Sequence, residues 1–167
     1  MKKILFVLVF MIPVFINAQT PYTSTKDKKQ LTVLNGIISK YILQNDPQFN
    51  WYTSSQSSYT PDTAIVNALE AAKEKVTILL FGGTWCDDTQ FILPKFFKLQ
   101  EISGFPDKSI SFFGVDRNKK TLGNFADVFN IINVPTIIVL KDGKEVGRVV
   151  EYGKSGNWDK DFAELLK

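Results

Sequence analysis

Val76-Thr77-Ile78-Leu79-Leu80-Phe81-Gly82-Gly83-Thr84-Trp85-Cys86-Asp87-Asp88-Thr89 is the stretch on which the fold turns. Val76–Phe81 is a short, nearly unbroken apolar run, the pattern of a strand buried on both faces of a sheet. Gly82-Gly83 breaks it, and residues 91–100 beyond the break read as a helix. The chain's one cysteine, Cys86, is therefore handed from the end of a strand to the first turn of a helix. The unpaired N–H groups and positive dipole end of a helix favour thiolate over thiol. Thiolate is the species that attacks disulfides and oxidised sulfur.

Downstream, Phe91, Ile92, Phe96, Phe97, Leu99 and Ile102 give the helix an apolar face, with Pro94 inside it. A mid-helix proline deletes one backbone hydrogen bond and bends the helix. Residues 109–115 predict a second buried strand, and Leu122, Phe125, Val128 and Phe129 the face of another helix. Val134-Pro135-Thr136 leads into a strand over 137–140, Asp142-Gly143 marks a hairpin, and residues 145–150 form the returning strand. Trp158, Phe162, Leu165 and Leu166 mark a closing helix.

Upstream, Pro61-Asp62 opens a helix running to Lys73, with Thr60 as its N-cap. Leu31, Leu34, Ile37, Ile38, Tyr41 and Ile42 recur at helical spacing, which predicts one amphipathic helix ending near Pro47. Residues 19–30 are polar and read as a mobile lead-in. Residues 48–61 read as an irregular loop whose aromatics, Phe49, Trp51, Tyr52 and Tyr59, either pin it to the domain or wall a groove. Strands separated by helices, then a hairpin, predict an α/β fold: a central mixed sheet of about four strands flanked by helices, with an N-terminal helical extension.

At the N-terminus, Lys2 and Lys3 precede an apolar run from Ile4 to Ile16, followed by Asn17-Ala18. That is the layout of a secretory signal peptide cleaved after Ala18. The run is short of the roughly 20 residues a spanning helix needs, and Pro13 interrupts it. The expected organisation is residues 1–18 as signal, 19–60 as extension and 61–167 as the main domain. The expected location is periplasmic or extracellular, with no stable membrane anchor after cleavage.

Removing Lys2 and Lys3 leaves 18 basic residues against 17 acidic, a formal charge of +1 rather than +3. No Lys/Arg stripe is present, so nucleic acid is not an expected partner. With 44% apolar residues the chain can bury a core without covalent staples. A single cysteine excludes an internal disulfide. The absence of histidine excludes Cys-His protease chemistry and nearly all zinc sites. Cys86, Asp87 and Asp88 diverge on a helix, so neither metal nor another cofactor is expected.

Trp85-Cys86, Pro94 eight residues after the cysteine, Val134-Pro135-Thr136 before a strand, and the turn Lys141-Asp142-Gly143-Lys144-Glu145 occur in one order. From about Pro61 to the C-terminus this resembles the thioredoxin-like family. The resemblance implies that Pro135 is cis and lies opposite Cys86, where Val134, Pro135 and Thr136 would offer backbone to an extended client peptide. An ordinary trans proline opening a strand is the plainer reading of Pro135. Trp85 reads as a partly exposed cover over the thiol and part of the docking surface.

Two departures from the family pattern bear on function. Thr89 stands where the resemblance places a second, resolving cysteine, and Leu80 where it places a buried acid that relays protons to it. The Thr89 hydroxyl is expected to hydrogen-bond the Cys86 thiolate. Asp87 and Asp88 suit a helix N-terminus yet repel a neighbouring thiolate, so the net sign of their effect on Cys86 stays open.

The sequence thus favours monothiol thiol–disulfide exchange on proteins carrying disulfides or oxidised cysteines, with Cys86 forming a mixed disulfide that a second, external thiol or reductant resolves. The alternative is a redox-inactive module that keeps the peptide-docking cleft. A peroxide-reducing enzyme is disfavoured: Thr89 follows the cysteine instead of preceding it.

Overall fold

Strand β3 (Thr77–Gly82) sits inside a six-stranded sheet whose spatial order is β1 (Tyr22–Lys26), β2 (Thr32–Ile38), β4 (Ile110–Gly114), β3, β5 (Thr136–Lys141) and β6 (Lys144–Val150). The computed structural model describes residues 21–167, so the expected signal segment, 1–18, lies outside the described residues. β3 runs parallel to β4 (Ile110–Gly114), with Phe81 opposite Phe113. It runs antiparallel to β5 (Thr136–Lys141), which pairs with β6 (Lys144–Val150) across the predicted Asp142-Gly143 turn. Ile78 and Leu80 project into a large core with Phe96, Phe97, Phe112, Ile137, Val139 and Phe162. Phe81 projects to the other face, onto Phe113, Val115, Ala126, Ile131, Val134 and Ile138. Burial on both faces is why the run is continuously apolar instead of alternating.

The N-terminal third departs from expectation. The polar lead-in is an edge strand, β1 (Tyr22–Lys26), and the predicted long helix is a second strand, β2 (Thr32–Ile38), followed by the short helix α1 (Lys40–Asn45). β1 and β2 pair antiparallel, and β2 docks antiparallel on β4, so the sheet has six strands where about four were expected. The 3–4 spacing of Leu31, Leu34, Ile38 and Tyr41 misled, because short apolar runs fit either period. The β-branched Thr32, Val33, Ile37 and Ile38 favour the strand, and Gly36 adopts φ +121°, which no helix uses. Leu31 and Ile37 are exposed, whereas one helix would have placed them with Leu34.

Residues 48–61 are not irregular. A 3₁₀ turn (Pro47–Phe49) leads into α2 (Trp51–Ser57). Its aromatics pin it to the domain: Tyr52 is fully buried against Phe97, and the Tyr59 ring packs 5.9 Å from Trp158. Helix α3 (Thr63–Ala71) is capped by Asp62, whose carboxylate accepts from Ala64 N at 2.8 Å, rather than by Thr60. Helix α4 (Asp87–Ser103) carries Pro94 and ends at Gly104 in a left-handed conformation, the usual C-terminal stop. The predicted helix at 122–129 shrinks to a 3₁₀ turn and the single-turn α5 (Phe125–Val128), with Leu122, Phe125 and Val128 exposed. Helix α6 (Trp158–Glu164) closes the large core. No helix of the described residues is long and apolar enough to cross a membrane.

Far from the thiol, buried Lys40 ties α1 to the end of α4, donating to Gln100 Oε1 at 2.7 Å and pairing with Glu101 and Asp107. The Tyr41 hydroxyl, donating to Asp107 at 2.7 Å, holds that carboxyl below its ordinary 3.8; burial opposes this and Lys40 adds to it. A carboxyl depressed in the folded state contributes stability that is complete above 3.8 and is lost as pH falls below it. Asp107→Asn is therefore expected to lower Tm near neutrality while flattening the fall in Tm with acid. Thermal melts from about pH 6 to about pH 2 check this, since titration spans the two pKa values. A variant curve parallel to wild type would refute the assignment.

Candidate functional site

The site forms where β3 ends. Gly82 closes the strand, the Gly83 carbonyl accepts from Cys86 N at 2.9 Å, and Cys86 becomes the N-cap of α4 with extended φ/ψ of −99° and 125°. The Cys86 carbonyl takes the first helical bond, from Gln90 N at 3.0 Å. The sulfur is thus held at the positive end of a 17-residue helix. Cys86 is half-buried, neither sealed in the core nor fully open.

Val134–Pro135 is a cis peptide bond, and Cys86 Sγ donates to the Val134 carbonyl at 3.2 Å. Thr136 Oγ1 bonds back to Asn133 O at 2.7 Å, and the Pro135 carbonyl accepts from Glu151 N at 2.7 Å. Cys86 and the 134–136 loop, 48 residues apart from sulfur to carbonyl, are therefore brought together. Pro135 and Thr136 are themselves buried, which leaves the Val134 carbonyl as the loop's contact with the thiol.

Trp85 is half-buried beside the sulfur. Its indole N–H donates to Val115 O at 3.0 Å, and its ring lies over Gly83, where an added Cβ would meet indole atoms at 2.6 Å. Only glycine leaves room for the indole there. The Arg117 guanidinium sits 4.8 Å from the ring centroid on the Trp85 face.

Thr89 is buried, and its hydroxyl accepts from Gly83 N at 3.2 Å. That differs from the expected bond to the Cys86 sulfur: the hydroxyl ties the first turn of α4 to the end of β3 instead. Leu80 is fully buried among apolar side chains. Asp87 is exposed and Asp88 half-buried, both in the first turn of α4.

Two further residues border the site. Thr84 Oγ1 donates to Thr32 O at 2.6 Å and accepts from Leu34 N at 3.2 Å, tying β2 to the loop that carries the thiol. Tyr152 packs on Phe91 with ring centroids 5.9 Å apart. Partial burial, a hydrogen bond to Asp88 and the field of Cys86 push the Tyr152 phenol above its ordinary range. Neither had a local signal: Thr84 acts through a strand the spacing misassigned, and Tyr152 follows β6 in a turn.

A strand delivering a thiol to a helix N-terminus, opposite a cis-proline loop and directly after a tryptophan in the chain, defines the thioredoxin-like class of α/β proteins. The thioredoxin family model matches residues 56–161. A thioredoxin of Staphylococcus saprophyticus is 34% identical over 94 residues, covering 55% of this chain and 80% of that protein. One of Staphylococcus haemolyticus is 33% identical over 99 residues, covering 58% and 85%. Among solved structures, an HIV epitope-scaffold superposes with TM-score 0.54 at 16% identity, covering 79% of this chain and 90% of its own, a likeness of fold alone. The chain belongs to the thioredoxin family, whose general chemistry is thiol–disulfide redox exchange on protein disulfides.

Proposed function

We propose that the protein performs monothiol thiol–disulfide exchange on client proteins outside the cytoplasm. The observation that carries the reading is Cys86 Sγ, half-exposed at the α4 N-terminus and 3.2 Å from the Val134 carbonyl, with buried Thr89 one turn on. Lys2, Lys3 and the apolar run through Ile16 support the location.

In the first step the Cys86 thiolate attacks one sulfur of a client disulfide. The client S–S bond breaks, a Cys86–client disulfide forms, and the second client sulfur leaves as thiolate and is protonated by water. With a client sulfenic acid, the same attack yields the mixed disulfide and water. Thr89 has no sulfur to complete the exchange, so resolution comes from elsewhere. A second client thiolate attacking the client's sulfur restores the Cys86 thiolate and leaves a rearranged client disulfide with no net electron transfer. Two external thiols, oxidised to their own disulfide, reduce the client instead. Asp87 and Asp88 disfavour anionic partners such as glutathione and favour neutral or basic peptide segments.

Trapping tests this directly. Envelope extract treated with a thiol-blocking acid quench is expected to give disulfide-linked client adducts of the wild-type protein on non-reducing gels. Cys86→Ser is expected to give none. Absence of wild-type adducts, with equal non-covalent co-purification of clients by wild type and Cys86→Ser, would leave a non-covalent peptide-binding module as the function. N-terminal sequencing of the cell-envelope fraction is expected to begin at Gln19.

A further inference from the structure

The N-terminal hairpin reaches the residue before the thiol through a chain of three side chains, Asp27, Arg117 and Trp85. Asp27 lies in the turn between β1 and β2, with its side chain only 7% exposed. One carboxylate oxygen, Oδ1, accepts from Lys29 N at 2.8 Å and Leu31 N at 2.9 Å and so closes the turn. The other, Oδ2, accepts from Arg117 Nε at 2.6 Å and its terminal nitrogen at 2.5 Å, 90 residues along the chain. A guanidinium held at two nitrogens has its plane fixed. The Arg117 Cζ lies over the Trp85 ring, 4.8 Å from its centroid, with Lys119 Nζ at 6.0 Å. The indole also packs on Gly83, and its N–H is bound to Val115 O.

We infer that Asp27 is a positioning residue for client docking: by clamping Arg117 over Trp85, it fixes the indole of the residue that precedes the Cys86 thiol. This deepens the exchange function proposed above and rests on it. The N-terminal hairpin, outside the thioredoxin match, is thereby part of the recognition surface. A charged clamp is suited to this because the guanidinium is already paired with Asp27 and already over the indole before a client arrives. Burial alone would raise the Asp27 carboxyl, but the Leu31 N–H, Arg117 and the Lys29 N–H outweigh it and keep it below its ordinary range. The Asp27 carboxylate therefore keeps its charge further into acid than an ordinary aspartate does.

The test compares two probes that share a leaving group: neutral 2,2′-dipyridyl disulfide, and a neutral decapeptide whose central cysteine carries a 2-pyridyl disulfide. Release of pyridinethione is followed for wild type, Asp27→Asn, Arg117→Met and Arg117→Lys. Asp27→Asn keeps an oxygen for the turn and replaces the charged acceptor of Arg117 with an NH2 group that cannot accept from it. All three variants are expected to react about tenfold more slowly with the peptide while staying within about twofold on the small disulfide. Arg117→Lys belongs with the losses because an ammonium keeps the charge but not the fixed plane. Equal slowing on both probes, or on neither, overturns the inference.

The independent readout is fluorine NMR of protein labelled with 5-fluorotryptophan. The Trp85 resonance, assigned by Trp85→Phe, is expected to move in Asp27→Asn while those of Trp51 and Trp158 stay put. Movement of all three marks general unfolding and overturns the specific role. If wild-type Cys86 reacts with neither probe, the exchange function proposed above fails. The clamp is then judged by the Trp85 signal, which overturns it by standing still.

Discussion

Thr89→Cys is expected to turn the single-thiol site into a dithiol catalyst that turns over. Position 89 lies one turn into α4, buried, with its side-chain oxygen 3.2 Å from Gly83 N. A sulfur there would attack the Cys86–client bond, release the client as a thiol and leave an intramolecular disulfide for dithiothreitol to reduce. Losing the Thr89 hydrogen bond costs about 1 kcal/mol, a modest part of the stability of a domain this size. Insulin reduction in dithiothreitol is expected to rise at least tenfold over wild type. The variant is also expected to show no free thiol after mild oxidation. Two persistently free thiols would mean that position 89 faces away from the sulfur, and the site geometry would be wrong.

Gly114→Ala is expected to have the largest effect on stability. Gly114 faces Gly36 where β2 crosses onto β4, and the β2–β4 pairing extends only over Gly36, Ile37 and Ile38. An added Cβ would lie 2.4 Å from the Leu34 carbonyl oxygen and 3.0 Å from its carbon. Those atoms are backbone, so relief requires one strand to move off the other. Overpacking of this kind costs about 3 kcal/mol, which lowers Tm by roughly 6–12 °C in a domain of this size. Because β2 also holds Thr84 through Leu34 N and Thr32 O, amide exchange at Leu34 and Ile38 is expected to speed up along with the loss. A Tm within about 2 °C of wild type would show that the two strands are not held at this contact.

The parts of the fold legible in the sequence are those where one signal had one meaning. The apolar run at 76–81 reads as a doubly buried strand because both faces of β3 carry core. Asp142-Gly143 reads as a hairpin because Gly143 adopts φ +74° and Asp142 φ +51°, conformations few other pairs take. The N-terminal third failed for the opposite reason. Edge strand β1 is almost wholly exposed, so it left no hydrophobic period to read. β2 imitates a helix because one strand buries adjacent residues, Val33 and Leu34, on its two faces. At the site, Cys86 was legible from its place between strand and helix, and the Val134 loop opposite it only through the family resemblance. Arg117 and Asp27 were not, because an ion pair 90 residues apart has no local pattern.

By itself the sequence determined the chemistry: one sulfur, no histidine, no second thiol, placed where a strand meets a helix. Those follow from residue identity and short-range backbone preference, which act within a few residues. Only the tertiary structure decided what surrounds the sulfur. The Val134 carbonyl, the bond that turns Thr89 toward Gly83, and the hairpin that clamps Trp85 all depend on strands pairing across the sheet. Such contacts are selected by packing over long loops, where many pairings satisfy the same local pattern and only one buries the whole core.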